Sequence, residues 1–164
     1  MKTVIALQPE ARQIGYAVFE GKDLIDWGTK SIGSVPVAKR VYTVALPFVR
    51  SLIERHQPDL IVLSQPTDNP TTVRTRFLRA VRYESCRQPQ KLCFFSRRAI
   101  HKAFQPFLQS KRVNKSLIMQ LLARWFPELR RSLPRPRRLW ESQDYWVSMF
   151  DAIALGITHL SRNE

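Results

Sequence analysis

Acidic side chains are scarce in this chain. Thirteen Asp and Glu stand against 27 Lys and Arg, a formal net charge of +14 over 164 residues. Cysteine is scarcer still: Cys86 and Cys93 are too few for a disulfide framework or a zinc site. They read as two buried thiols in a reducing compartment. No apolar run approaches the roughly 20 residues that cross a bilayer, so no membrane-spanning segment is expected. The apolar part of the opening MKTVIALQPE is too short for a secretory signal and is interrupted by Gln8 and Glu10. A cytoplasmic location is therefore the expectation. No internal repeat is visible, and the length suits one domain spanning 1–164 with a single core.

The charge is also unevenly spread. Residues 70–138 hold 18 of the basic residues and two acids, Glu84 and Glu128. Like-charge repulsion of that density does nothing for folding, whereas phosphate contacts with counterion release reward it. Nucleic acid is the partner this points to. An anionic membrane surface or an acidic protein remains open.

Patterning along the chain predicts an ordered set of elements. KTVIALQ (2–8), IGYAVF (14–19) and LIDWGTKSI (24–32) read as three strands, with a turn at Gly21-Lys22-Asp23. From Pro36 to Gln57 the apolar residues Val37, Val41, Val44, Phe48 and Leu52 recur at helical spacing, with Pro47 set to kink the helix. DLIVLS (59–64) is a short apolar run of the kind that fills a central strand. Next come a helix over 71–85, a strand KLCFFS (91–96), a helix over 97–104, a basic loop over 105–113 and a helix over 114–126 capped by Asn114. PELRRSLPRPRRL (127–139) reads as an extended surface connection, and a final helix runs over about 143–160. By spacing, Trp27, Trp125, Trp140 and Trp146 are mostly core. Trp140, beside Arg137 and Arg138, is the aromatic to consider for base stacking. Three strands, then strands alternating with helices, imply an α/β architecture: a mixed five-stranded sheet with helices on both faces.

Five segments in this order resemble the bacterial Holliday-junction resolvases of the RuvC type, and the element order is that of the RNase H-like fold. QPEARQIGYAV is similar to the family opening D-P-G-x-R-x-x-G-Y: Pro9, Arg12, Gly15 and Tyr16 match, Gln8 stands at the aspartate and Glu10 at the glycine. QPDLIVLSQP resembles the fourth strand, with Ser64 at the family's glutamate and Gln65 matching. FFSRRAIHKAF resembles the fifth strand and the segment after it. NKSLIMQLLARWFPEL resembles the lysine-bearing helix, with Lys115 at the lysine. SMFDAIALGITHL resembles the final D-x-x-D-A-x-A-x-A-x-x-H helix: Asp151, Ala152, Ala154 and His159 match and Ser148 stands at the first aspartate.

The resemblance implies phosphodiester hydrolysis in branched DNA by a dimer that uses two Mg²⁺, or Mn²⁺, held by four acids. Two divalent ions about 4 Å apart need anionic oxygen to offset their repulsion. Here Asp151 alone stays in register, while Gln8, Ser64 and Ser148 are neutral. Three readings stay open. In one, the metal site is degenerate and the chain binds branched or duplex DNA with little or no cleavage. In another, a magnesium-dependent junction endonuclease is rebuilt from Glu10, Asp68, Asp144 and Asp151. Asp144 lies seven residues before Asp151, so both project from one helix face. The plainer view makes Glu10 and Asp68 exposed loop charges and puts Asp144 or Glu141 in a helix N-terminal turn. In the third, a basic interaction protein binds RNA or an acidic partner. DNA contacts are expected from Arg74, Arg76, Arg79 and Arg82 on the helix after the fourth strand. Arg97, Arg98, Lys102, Lys111, Arg112 and Lys115, at the same end of the sheet, are expected to join them. All would touch phosphates and read shape, with no base readout. His159 reads as a helix-end cation or a surface residue.

Overall fold

The computed structural model describes residues 1–66, 72–86, 90–135 and 145–163. Its frame is set by strict alternation in the first strand. In β1 (Thr3–Pro9) Val4 and Ala6 face one side of the sheet and Ile5 and Leu7 the other, and all four are buried. A strand buried on both faces must sit in the middle. β1 pairs antiparallel with β2 (Gln13–Glu20) and parallel with β4 (Leu60–Ser64). β3 (Asp23–Ser31) and β5 (Lys91–Phe95) form the edges, giving the order β3-β2-β1-β4-β5. The β2–β3 turn is the two residues Gly21 and Lys22, with Gly21 at φ +61°, where glycine carries no Cβ penalty.

Helices cover both faces. α1 (Leu46–His56) and α2 (Val73–Ser85) pack on Ile5, Leu7, Ile61 and Leu63. α3 (Arg97–Phe104), α4 (Lys115–Trp125) and α5 (Val147–Arg162) pack on Val4, Ala6, Ala17 and Val62. Among the described residues no helix is long and apolar enough to cross a membrane.

α5 lies unusually close to β2. A Cβ at Gly15 would overlap the Ser148 carbonyl, and one at Gly156 would overlap the Phe19 ring. Two missing side chains, one on the strand and one on the helix, thus set the helix down on the sheet.

The structure corrects four sequence expectations. The helix over 36–57 is not one kinked rod. It is a 3₁₀ turn at Val37–Lys39, a π-helical turn at Val41–Ala45 and then α1. Pro47 has no N–H to give, and the wider turn just before it, closed by Leu46 N–H on the Val41 carbonyl, moves the ladder past that gap. The Pro- and Arg-rich connection is not extended at its start. Pro127–Ser132 makes 3₁₀ turns that seat Leu129 in the core at 0% exposure. The three described tryptophans are not core: Trp125 and Trp146 are 39% and 38% exposed and Trp27 is half-buried, because periodicity identifies a face and not a depth. Cys86 is exposed at the end of α2 and Cys93 half-buried on the edge strand, so neither is a buried thiol.

Candidate functional site

Two parallel neighbours build the floor of the site. β1 and β4 are in register at Leu7 and Leu63, so Gln8 and Ser64 come next, side by side at the C-terminal ends, on the face that α5 covers. Both are nearly inaccessible, at 6% and 5% exposure. Crevices outside the carboxyl ends of such strands are the usual place for ligands in α/β sheets. Here a cavity of about 170 Å³ opens at that point. Gln8, Glu10, Ser64, Arg74, Arg97, His101, Lys115 and Asp151 supply its polar lining, and Ile100, Ile118, Met119, Phe150 and Ala154 its apolar wall.

One contact dominates the cavity. Lys115 Nζ donates to Asp151 Oδ2 at 2.9 Å. Burial lifts the Asp151 carboxyl above the usual carboxylate range. The Lys115 ammonium opposes this by charge and hydrogen bond, Glu10 adds to the rise, and Arg74 opposes it. Glu10 is tied back to the strand end by Gln8 Nε2, which donates to its Oε1 at 3.0 Å. Its loop is clamped from outside by Arg40, which donates through Nη1 to the Ala11 carbonyl and through Nε to the Val35 carbonyl, each at 2.9 Å.

The structure sorts the sequence-selected residues by place. Gln8, Glu10, Ser64 and Asp151 meet in the cavity, and Arg74, Arg97 and Lys115 line it with them. Ser148 does not line it: its side chain is fully buried where α5 meets β2. Asp68 and Asp144 lie outside the described residues, as do Arg137, Arg138, Trp140 and Glu141. Arg98 and Lys102 line an adjoining groove with Ser96, His101 and Arg162. Arg76, Arg79 and Arg82 are exposed on α2, and Lys111 and Arg112 are exposed in the loop before α4. His159 is half-buried with Phe95 nearby, and desolvation together with the Lys2 charge holds its pKa below the usual histidine value, against a helix-end cation.

His101 was not selected from the sequence. Burial, and then the Arg97 charge, hold its pKa below the ordinary value. The signal was in the spacing: Arg97 and His101 are four apart and share one face of α3, and Arg98 and Lys102 form the next stripe round. The first stripe faces the cavity and the second the groove, with His101 belonging to both linings.

No family model and no curated protein matches the sequence. Solved structures do match. Thermus thermophilus RuvC in complex with a Holliday junction substrate superposes at TM-score 0.67, with 17% identity, over 98% of this chain and 94% of that one. The yeast mitochondrial Holliday junction resolvase Ydc2 superposes at TM-score 0.62 and 12% identity, over 96% of this chain and 77% of that one. The fowlpox virus Holliday junction resolvase superposes at 0.59 and 10%, over 98% and 99%.

The chain has the RuvC-type, RNase H-like fold.

A shared fold does not carry a shared site, and the described residues of this cavity do not match the paired divalent cations that the family resemblance implies. Among the described residues no three of His, Cys, Asp and Glu form a metal-ligand group. Asp151 is engaged by Lys115, Glu10 by Gln8, and Arg74 and Arg97 stand in the same lining. Ser64 Oγ and Ser148 Oγ are buried without a hydrogen-bond partner among the described residues, yet neither bears charge. Hard divalent cations select clustered anionic oxygen, and the two carboxylates among the described lining residues are each already engaged, beside two guanidinium groups and an ammonium.

Proposed function

We propose that this chain binds branched or duplex DNA through the basic face around the cavity, and that its metal site is too degenerate to cleave what it binds. The observation that carries this reading is the 2.9 Å pair of Lys115 with Asp151, the single aligned carboxylate, beside the neutral Gln8 and Ser64. A lysine ammonium on that oxygen takes the place in which a cation would sit. The cations that remain run from Arg74, Arg97 and Lys115 in the cavity to Arg98, Lys102 and Arg162 in the groove. Such a surface engages phosphates, which position a protein on nucleic acid without reading bases. The RuvC-type fold favours a branched substrate, and two of the similar structures are complexes with Holliday junction DNA.

One observation favours a second reading, an active endonuclease with relocated acids: Glu10 shares the cavity with Asp151. The two readings separate in a nicking assay. A labelled four-way junction is incubated with the protein and Mg²⁺ or Mn²⁺, beside Asp151→Ala. The proposal expects junction binding with no divalent-dependent product. Nicking by the wild type that disappears in the variant establishes the second reading.

A further inference from the structure

Three helices begin at the cavity, and each carries a cation within its first two residues. Arg74 is the second residue of α2, Arg97 the first of α3 and Lys115 the first of α4. None of the three first turns contains an acid. This inverts the ordinary preference, because the N-terminal end of a helix carries partial positive charge and favours carboxylates. Each helix is otherwise well started. Thr72, Ser96 and Asn114 accept the backbone N–H of Thr75, Ala99 and Leu117 at 3.2, 3.1 and 2.9 Å. The cations therefore do not make up for poor caps. Three dipole ends and three side-chain cations add to one positive field around a single cavity, and among the described residues Asp151 and Glu10 are the carboxylates in its lining.

Two further groups in that lining point to a ligand. Ser64 is 5% exposed and its Oγ has no hydrogen-bond partner among the described residues. Arg74 Nε is likewise buried without a partner among them. A buried hydroxyl and a buried guanidinium N–H left unmade are costly unless something arrives to accept from them. An oxyanion satisfies both, and guanidinium suits phosphate oxygens in particular. Resting on the DNA-binding reading above, we infer that the former metal pocket of this fold is a metal-free phosphate seat. In it Arg74, Arg97 and Ser64 hold one phosphate group of the bound nucleic acid, and Lys115 is shared between that phosphate and Asp151.

The test is binding in EDTA by the full chain, with a fluorescent four-way junction carrying no terminal phosphate and the same junction 5′-phosphorylated. Arg74→Gln and Arg97→Gln are each expected to weaken binding about tenfold, the value of one charge-assisted contact. Asp151→Asn is expected to tighten it, since Lys115 is then released to the phosphate and the carboxylate no longer repels it. Equal weakening on both junctions identifies a backbone diester as the occupant. Weakening confined to the 5′-phosphorylated junction identifies a terminal phosphate. If both arginine variants bind within twofold of wild type, or Asp151→Asn weakens binding, the seat is refuted while DNA binding by the outer surface stands. If wild type binds junctions no better than heparin, the DNA-binding reading fails. Inorganic phosphate then decides the cavity alone, by raising the melting temperature of wild type and not of Arg74→Gln or Arg97→Gln, or by raising all three alike and refuting it.

Discussion

Gly15→Ala tests the contact on which the whole site depends. Gly15 lies opposite Gln8 in the β1–β2 ladder, and the backbone of Ser148 and Met149 passes directly over it. An added methyl would occupy the space of the Ser148 carbonyl. Both colliding groups are main chain, so no side-chain rotation relieves the overlap. Overpacking of this kind costs about 1–3 kcal/mol, and the absence of a soft partner places it near about 3 kcal/mol. Replacing a strand glycine by alanine returns about 0.5–1 kcal/mol of backbone entropy, leaving a net loss of about 2 kcal/mol. For a domain of this size that lowers the melting temperature by about 4–8 °C. Relief comes from lifting the first turns of α5, which also carries Asp151 away from Lys115, so junction affinity should change with stability. Gly156→Ala is the control. Its methyl meets the Phe19 ring, and a helical position favours alanine over glycine by about 1 kcal/mol, so the loss should be smaller. Thermal denaturation monitored by circular dichroism measures both. A Gly15→Ala melting temperature within about 2 °C of wild type would mean that α5 does not sit on β2 this closely, and the geometry built on Asp151 would fall with it.

The packing and the electrostatics set two further outcomes. The Asp151 carboxyl is raised by burial, so the folded state binds its proton more tightly than the unfolded chain does. Its contribution to stability is full below the unfolded carboxylate range and is lost as pH rises through the folded value. Asp151→Asn should therefore match wild type at acid pH and exceed it at neutral pH, by urea denaturation across that range. A variant less stable than wild type at pH 7 would show that the Lys115 pair outweighs burial. Leu129→Ala removes a fully buried side chain from the 3₁₀ turns after α4 and should cost about 2–5 kcal/mol. A loss under about 1 kcal/mol would mean that this segment does not dock on the core.

Much of the frame was legible because it arises from local periodicity. Val4, Ile5, Ala6 and Leu7 alternate, and a strand buried on both faces is central wherever it occurs. The stripe on α4 and the apolar run of α5 required no knowledge of neighbours. The depth of a residue was not legible. Trp125 has helical spacing like Leu121 and Leu122, yet it lies at the margin, stacked on Phe104 and edge-on to Phe107. Leu129 had the opposite fate: its sequence neighbours include proline and arginine, yet it is buried in the same core cluster as Ile118, Leu121 and Leu122 of α4. The candidate site was half legible. Gln8, Ser64 and Asp151 could be placed by likeness to a family pattern. His101 could not, since its role depends on what α3 faces.

The order of residues alone determined the alternation of strands and helices, the net charge of +14 and the neutral side chains at Gln8, Ser64 and Ser148. These are properties of single positions or short periods, which any fold must respect. Only tertiary structure decided that Arg74, Arg97 and Lys115, drawn from three separate helices, share one cavity with Asp151. A field is a sum over distance, and distance between remote residues exists only once the chain has closed on itself.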